Sequence, residues 1–166
     1  FTHPGAKLLF MGNEFAQTTE WNYKSELNWE LLAFDPHKKM QDCVKSLNNL
    51  YRQQPALHEL QFKIEGFEWT NLDHRQEGII VYKRKGKSKE QDILVVLNVT
   101  PVVRRDWKVK VYGKSEWKEI FNSDNIAYWG TGDVYNPDVK AKLMDNETEL
   151  YEINIHLPAL AALVFR

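Results

Sequence analysis

The chain has 166 residues, enough for one large domain or a small domain with an appendage. It is 43% hydrophobic and 27% charged, and its 22 Lys and Arg against 23 Asp and Glu leave a net charge of -1. This composition excludes a disordered chain, a strongly basic nucleic-acid binder and an acidic solvating tail, and no apolar run reaches the roughly 18 residues of a membrane span.

In chain order, the first apolar run is Leu8-Leu9-Phe10-Met11, closed by Gly12. Four apolar residues without alternation suit a strand buried on both faces, and the following Gly-Asn-Glu-Phe suits an abrupt turn. The next stretch, with Trp21, Asn22, Tyr23, Asn28 and Trp29, has no period and reads as a structured loop. Asp35-Pro36 marks a helix start, with Asp as N-cap and Pro at the first helical position. Met40, Val44, Leu47 and Leu50 then form an apolar stripe to the end of a helix over 36–54, stopped by Pro55.

From residue 61 the grammar changes to strands and turns, with strands expected at 61–69, 78–84, 92–98, 107–112, 116–121, 150–157 and 160–165. Tyr151, Ile153, Ile155 and Leu157 alternate with Glu152, Asn154 and His156, the pattern of a half-buried strand. The runs Ile79–Tyr82 and Ile93–Leu97 are apolar on both faces and belong in the centre of a sheet. Residues 123–148 read as a long loop. Lys83–Lys89 carries five basic residues in seven around Gly86 and reads as a solvated hairpin turn. The expected fold class is mainly β: a C-terminal antiparallel β-sandwich over 61–166, preceded by residues 1–60.

No nucleophile elbow, phosphate loop, zinc-protease helix or cysteine pair is present. The five His (His3, His37, His58, His74 and His156) are scattered, and His156 reads as an outward strand residue. The single Cys43 forbids an internal disulfide and points to a reducing, cytoplasmic setting. The Asn98 and Asn146 sequons read as chance tripeptides. No metal and no cofactor are expected, and neither a nucleic-acid nor a membrane partner. The aromatic content, 13% with six Trp, is high enough to supply both a core and a surface that stacks on ring-shaped ligands. Glu14 and Glu20 lie beside aromatics, a combination known from glycoside chemistry, although spacing alone equally suits loop-holding carboxylates.

The run His3-Pro4-Gly5-Ala6-Lys7-Leu8-Leu9-Phe10-Met11-Gly12-Asn13-Glu14-Phe15-Ala16-Gln17, followed by Glu20-Trp21-Asn22, resembles the bacterial 1,4-α-glucan branching enzymes of glycogen synthesis, members of the α-amylase superfamily. Leu27-Asn28-Trp29 is similar to the family's Leu-Asp-Trp segment. Glu65-Gly66-Phe67-Glu68-Trp69, Asn98-Val99-Thr100-Pro101 and Leu157-Pro158-Ala159-Leu160-Ala161-Ala162-Leu163 extend the likeness along the chain. The resemblance implies that residues 1–60 are the last strand (6–12), active-site-side loop and closing helix of a (β/α)8 barrel whose earlier part lies upstream, so that the chain is a C-terminal fragment. It implies a parent that cleaves an α-1,4 linkage through a covalent glycosyl-enzyme and passes the chain to a 6-hydroxyl. The family's catalytic Asp, Glu and Asp lie on barrel strands four, five and seven, upstream of Phe1, so no residue here is assigned a catalytic role and the fragment is expected to be inactive. Trp21, with Glu14 and Trp29, is the expected substrate contact, and α-glucan the expected ligand. An unpartnered barrel strand is expected either to pack on the β domain, to self-associate with another copy through residues 6–12, or to adopt a non-barrel conformation. Two alternatives stay open: a fragment of a related hydrolase such as a maltooligosyltrehalose trehalohydrolase, and a non-catalytic glucan-binding module using Trp107, Trp117 or Trp129.

Overall fold

The structure, a computed structural model, describes residues 1–71 and 75–166. Nine strands form two antiparallel sheets. β1 (Phe67–Asn71), β2 (Ile79–Arg84), β3 (Ile93–Asn98), β9 (Ala161–Phe165), β5 (Glu116–Asn122) and β6 (Asp138–Lys140) make a six-stranded sheet in that spatial order. β4 (Arg104–Tyr112), β8 (Leu150–Leu157) and β7 (Lys142–Asp145) make a three-stranded sheet. Side chains of both sheets interdigitate in one core: Val81, Leu94, Val96 and Phe165 from the larger, and Val109, Val111, Ile153, Ile155 and Leu157 from the smaller. The antiparallel sandwich expected from 61–166 is present, and the alternation along β8 puts Ile153, Ile155 and Leu157 inside.

The helix α1 (Asp35–Gln53) is followed by a short α2 (Pro55–His58). Phe34 occupies the N-cap, so Asp35 is the first helical residue, where its carboxylate complements the helix dipole. α1 and α2 cover the outer face of the larger sheet: Cys43, Leu50, Ala56 and Leu57 pack on Tyr82, Ile93, Val95, Phe121 and Val164. This second layer explains why β2 and β3 are apolar on both faces. The stripe on α1 runs through Cys43, Val44 and Leu50, while Met40 stays 38% exposed near the helix start. Within β5 the register shifts between Glu119 and Phe121. The bulge lets Trp117 face the sandwich core and Phe121 face the helix.

Four expectations change. Residues 7–10 form no strand, and Leu8, Leu9 and Phe10 are exposed. A strand needs neighbours to take its N–H and C=O groups, and no such neighbour is present among the described residues. Residues 61–66 of the expected strand at 61–69 are a turn and a 3-10 segment at Ile64–Gly66. The long loop at 123–148 contains β6 and β7, each too short and too exposed to announce itself by alternation. The basic run is not a solvated turn at its start: Lys83 and Arg84 are buried. Lys83 Nζ reaches Glu68 at 3.3 Å, Asp92 at 3.6 Å and Tyr112 O at 3.3 Å. Arg84 donates to three backbone carbonyls, those of Thr2 at 2.8 Å, Gly66 at 3.2 Å and Leu57 at 3.5 Å. Asn98 of the first sequon is buried as well, its amide donating to Val102 O and Pro158 O at 2.8 Å each.

Candidate functional site

The loop between the apolar run and α1 is built on strained backbone. Met11 (φ 26°), Gly12 (φ 86°) and Ala16 (φ 55°) have positive φ, while Asn13 does not. A Cβ on Gly12 would lie 2.8 Å from Gln17 Cβ, so glycine is required there both for φ and for space. The chain then turns through a 3-10 segment, Asn13–Phe15, that buries Phe15 completely. His37, in the first turns of α1, binds Phe15 O through Nδ1 at 2.8 Å. The loop is therefore seated on the helix by one buried ring and one imidazole.

Its far side is closed by Gln17 and Asn28. Asn28 N donates to Gln17 Oε1 at 2.9 Å, and Thr19 Oγ1 donates to Asn28 Oδ1 at 2.6 Å. Asn28 Nδ2 donates to Glu30 Oε1 at 2.9 Å, which holds the Glu30 carboxyl below its usual range. Residue-type reasoning did not single out His37, Gln17 or Asn28 as organisers. The available signal was Asn28 itself, standing where the resembled family carries Asp.

The expected site residues fall into separate groups. Trp21, 53% exposed, has its ring edge-on to Phe10 at 5.6 Å and tilted against Tyr23 at 6.4 Å, so three aromatic side chains form one exposed cluster. Lys24 lies 5.5 Å from the Tyr23 ring centroid and adds a positive group to its edge. Trp29 belongs to a second pair, packed on the buried Phe15 at 5.3 Å, with about half of its surface still open. Glu14 is half-buried on the 3-10 turn and makes no side-chain hydrogen bond or ion pair among the described residues. Glu20 is exposed. The arrangement offers aromatic faces and amide groups, the chemistry of binding a polyhydroxylated ring rather than of cleaving one.

The other chemistry-bearing residues are dispersed. His156 Nδ1 accepts from Asp106 N at 3.0 Å, a structural contact in β8, and His74 lies outside the described residues. Among the described residues no group of three His, Cys, Asp or Glu side chains is placed to hold a metal ion, and no helix is long and apolar enough to cross a membrane. Of the tryptophans in the β region, Trp117 is in the core and Trp107 packs against it. Trp69 and Trp129 are 53% and 57% exposed.

Comparison with known proteins adds three findings. Residues 69–166 match the family model described as the α-amylase C-terminal all-beta domain. The whole chain is 40% identical to the 1,4-alpha-glucan branching enzyme GlgB of Aquifex aeolicus, covering 26% of that protein. It is 42% identical to the same-named protein of Rhodopirellula baltica, covering 23% of it. The chain thus spans only about a quarter of the length of these relatives. A crystal structure of an α-amylase from H. orenii aligns over 76% of this chain and 20% of the other with a TM-score of 0.41 and 18% identity, too distant a likeness to carry an argument.

Proposed function

Because the chain belongs to the family of α-amylase C-terminal all-beta domains, we propose that it forms the C-terminal part of a 1,4-α-glucan branching enzyme. The observation that carries this reading is the identity of 40% and 42% to two branching enzymes across all 166 residues. The similarity continues through residues 1–68, outside the matched β domain. In this reading residues 1–60 close a catalytic barrel, residues 61–166 are the β domain, and the catalytic carboxylates sit upstream. The protein works on α-glucan in the cytoplasm, without a cofactor.

The test is to express the chain with its upstream sequence and supply amylose. New α-1,6 linkages, read by proton NMR, are the expected product. Release of reducing ends without branching would replace this reading by the hydrolase alternative.

Within the parent, Trp21 supplies the sugar contact, Trp29 a flanking ring, and Glu14 a carboxylate free to accept from a glucan hydroxyl. Removing the Trp21 ring forfeits one stacking contact of about 1 kcal/mol, so Trp21→Ala raises KM for amylose roughly fivefold with kcat little changed. An unchanged KM removes Trp21 from the site.

The exposed apolar residues near the chain start fit the same reading. Leu8, Phe62 and Ile64 are 87%, 77% and 91% exposed, a load of open apolar surface that the upstream barrel would cover. Without that cover, residues 6–12 pair copies of the chain. Light scattering on the 166-residue chain should show concentration-dependent association that Leu8→Lys abolishes. A strictly monomeric chain excludes the pairing.

A further inference from the structure

We propose that Trp129 is a second α-glucan contact, on the flank of α1 opposite the Trp21 loop. The proposal rests on the branching-enzyme reading for the identity of the ligand. Its own ground is the way the ring is displayed. Trp129 adopts φ 71° and ψ 15°, the left-handed region, which is an outlier for a bulky residue. Yet its indole is 57% exposed, so this backbone conformation is not repaid by burial.

The loop beneath the ring is tied at almost every residue. Gly132 N donates to Asp124 O at 2.8 Å, and Gly130 N to Asn125 O at 3.1 Å. The Asp124 carboxylate accepts from Thr131 N at 3.0 Å and Thr131 Oγ1 at 2.6 Å, and Asn125 Oδ1 accepts from Ala127 N at 2.9 Å. Tyr128 stacks on Phe121 of β5 with ring centroids 5.6 Å apart, anchoring the loop to the sheet. From α1, Lys39 Nζ donates to Ile126 O at 3.2 Å and lies 5.4 Å from the Trp129 ring centroid. These contacts fix the backbone that carries the indole, and Trp129 stays 57% exposed.

An open indole with an ammonium beside it suits a pyranose, whose C–H face meets the π face while a hydroxyl meets Lys39. Lys39 spends one proton on Ile126 O and retains two for ligand oxygens. His37, which seats the Trp21 loop, and Lys39 are two residues apart on α1, about 200° around the helix and about 3 Å along it. The two aromatic displays therefore flank the same helical turn.

The experiment is affinity electrophoresis of the chain in gels containing glycogen, with Trp129→Gly as the variant. Glycine adopts φ 71° without strain, so the variant keeps the fold, checked by a thermal midpoint within a few degrees of the parent's. Wild-type chain should be retarded, Trp129→Gly should bind roughly fivefold more weakly, and Trp129→Phe should recover part of the loss. Trp21→Ala, run beside them, should keep a Trp129-dependent share of the retardation. Equal retardation of wild type and Trp129→Gly, or no retardation of wild type, overturns the proposal. Failure of the longer protein to branch amylose, with Trp129-dependent retardation intact, fails the branching reading and not this one.

Discussion

Replacing Arg84 by Met lowers the stability of the chain by about 3 kcal/mol, and with it the thermal midpoint by about 6–12 °C. Methionine has a similar length and fills the same space, so the loss isolates the guanidinium. Arg84 is fully buried, and its Nε, Nη1 and Nη2 each donate to a backbone oxygen rather than to a carboxylate. Gly66 O keeps a second donor, Lys85 N at 3.0 Å, but the carbonyls of Thr2 and Leu57 lose this one, the first in a part-buried contact and the second in a buried one. The loss has a location as well as a size. Arg84 is where the first residues, α2 and β2 meet, and Thr2 Oγ1 lies 2.6 Å from Tyr82 OH beside it. Hydrogen exchange in Arg84→Met should accelerate first at residues 1–5 and around Leu57. Arg84→Lys should recover part of the loss, because an ammonium reaches some of the three oxygens but lacks the planar fork. A midpoint unchanged in Arg84→Met would mean the buried guanidinium contributes nothing net.

The same residue shows where sequence reasoning stops. Five basic residues in seven are ordinarily a solvated turn, and Lys85, Lys87 and Lys89 do behave that way, on exposed or half-exposed positions. Lys83 and Arg84 fall at the end of β2, where alternation sends one side chain toward each layer, and only the packed structure supplies the oxygens that accept them. Local pattern carries β2, β3 and β8 well, because apolar runs and strict alternation are consequences of burial on two faces or one. It fails for β6 and β7, three and four residues long, because pairing to a neighbour rather than their own composition makes them strands. It fails for residues 7–10 for the opposite reason: the composition is that of a buried strand, and no partner strand is present among the described residues.

At the candidate site, residue types pointed to the aromatic loop, and the exposure of Trp21 and Trp29 agrees with a ring displayed to solvent. What could not be read was the support. Gln17 and Asn28 are eleven residues apart, and His37 reaches Phe15 O across twenty-two. Such contacts depend on how the loop folds back, which no short-range pattern encodes. The same holds for Trp129, whose distinction from Trp107 and Trp117 is its accessibility rather than its neighbours in sequence.

Asn136→Ala should cost about 3 kcal/mol at neutral pH, from three side-chain hydrogen bonds of about 1 kcal/mol each. Asn136 joins the two sheets. Its side-chain amide pairs with the backbone of His156 in β8 as a strand residue would, accepting from His156 N at 2.7 Å and donating to His156 O at 3.0 Å. Its backbone N and Nδ2 both donate to Glu119 Oε2 in β5, at 3.1 and 2.8 Å. Burial pushes the Glu119 carboxyl above its ordinary 4.5, and the Asn136 donors work against that rise. A carboxyl raised in the folded state binds more protons folded than unfolded, so its contribution is fully present below 4.5 and is lost as pH rises through the folded value. Removing Asn136 raises that value further. Below 4.5 the carboxyl is protonated in both states, and the substitution then costs mainly the His156 pairs; near pH 7 it costs those and also takes one donor from a buried charge, leaving it the backbone N–H of residue 136. Unfolding of wild type and Asn136→Ala, followed from pH 4 to pH 8, should therefore show a gap that widens with pH. Adding Glu119→Gln, which keeps an acceptor and carries no charge, should make the gap independent of pH. A gap constant across that range in the Glu119 background would show that the carboxylate and Asn136 are not coupled, and that Asn136 acts only as the pairing partner of β8.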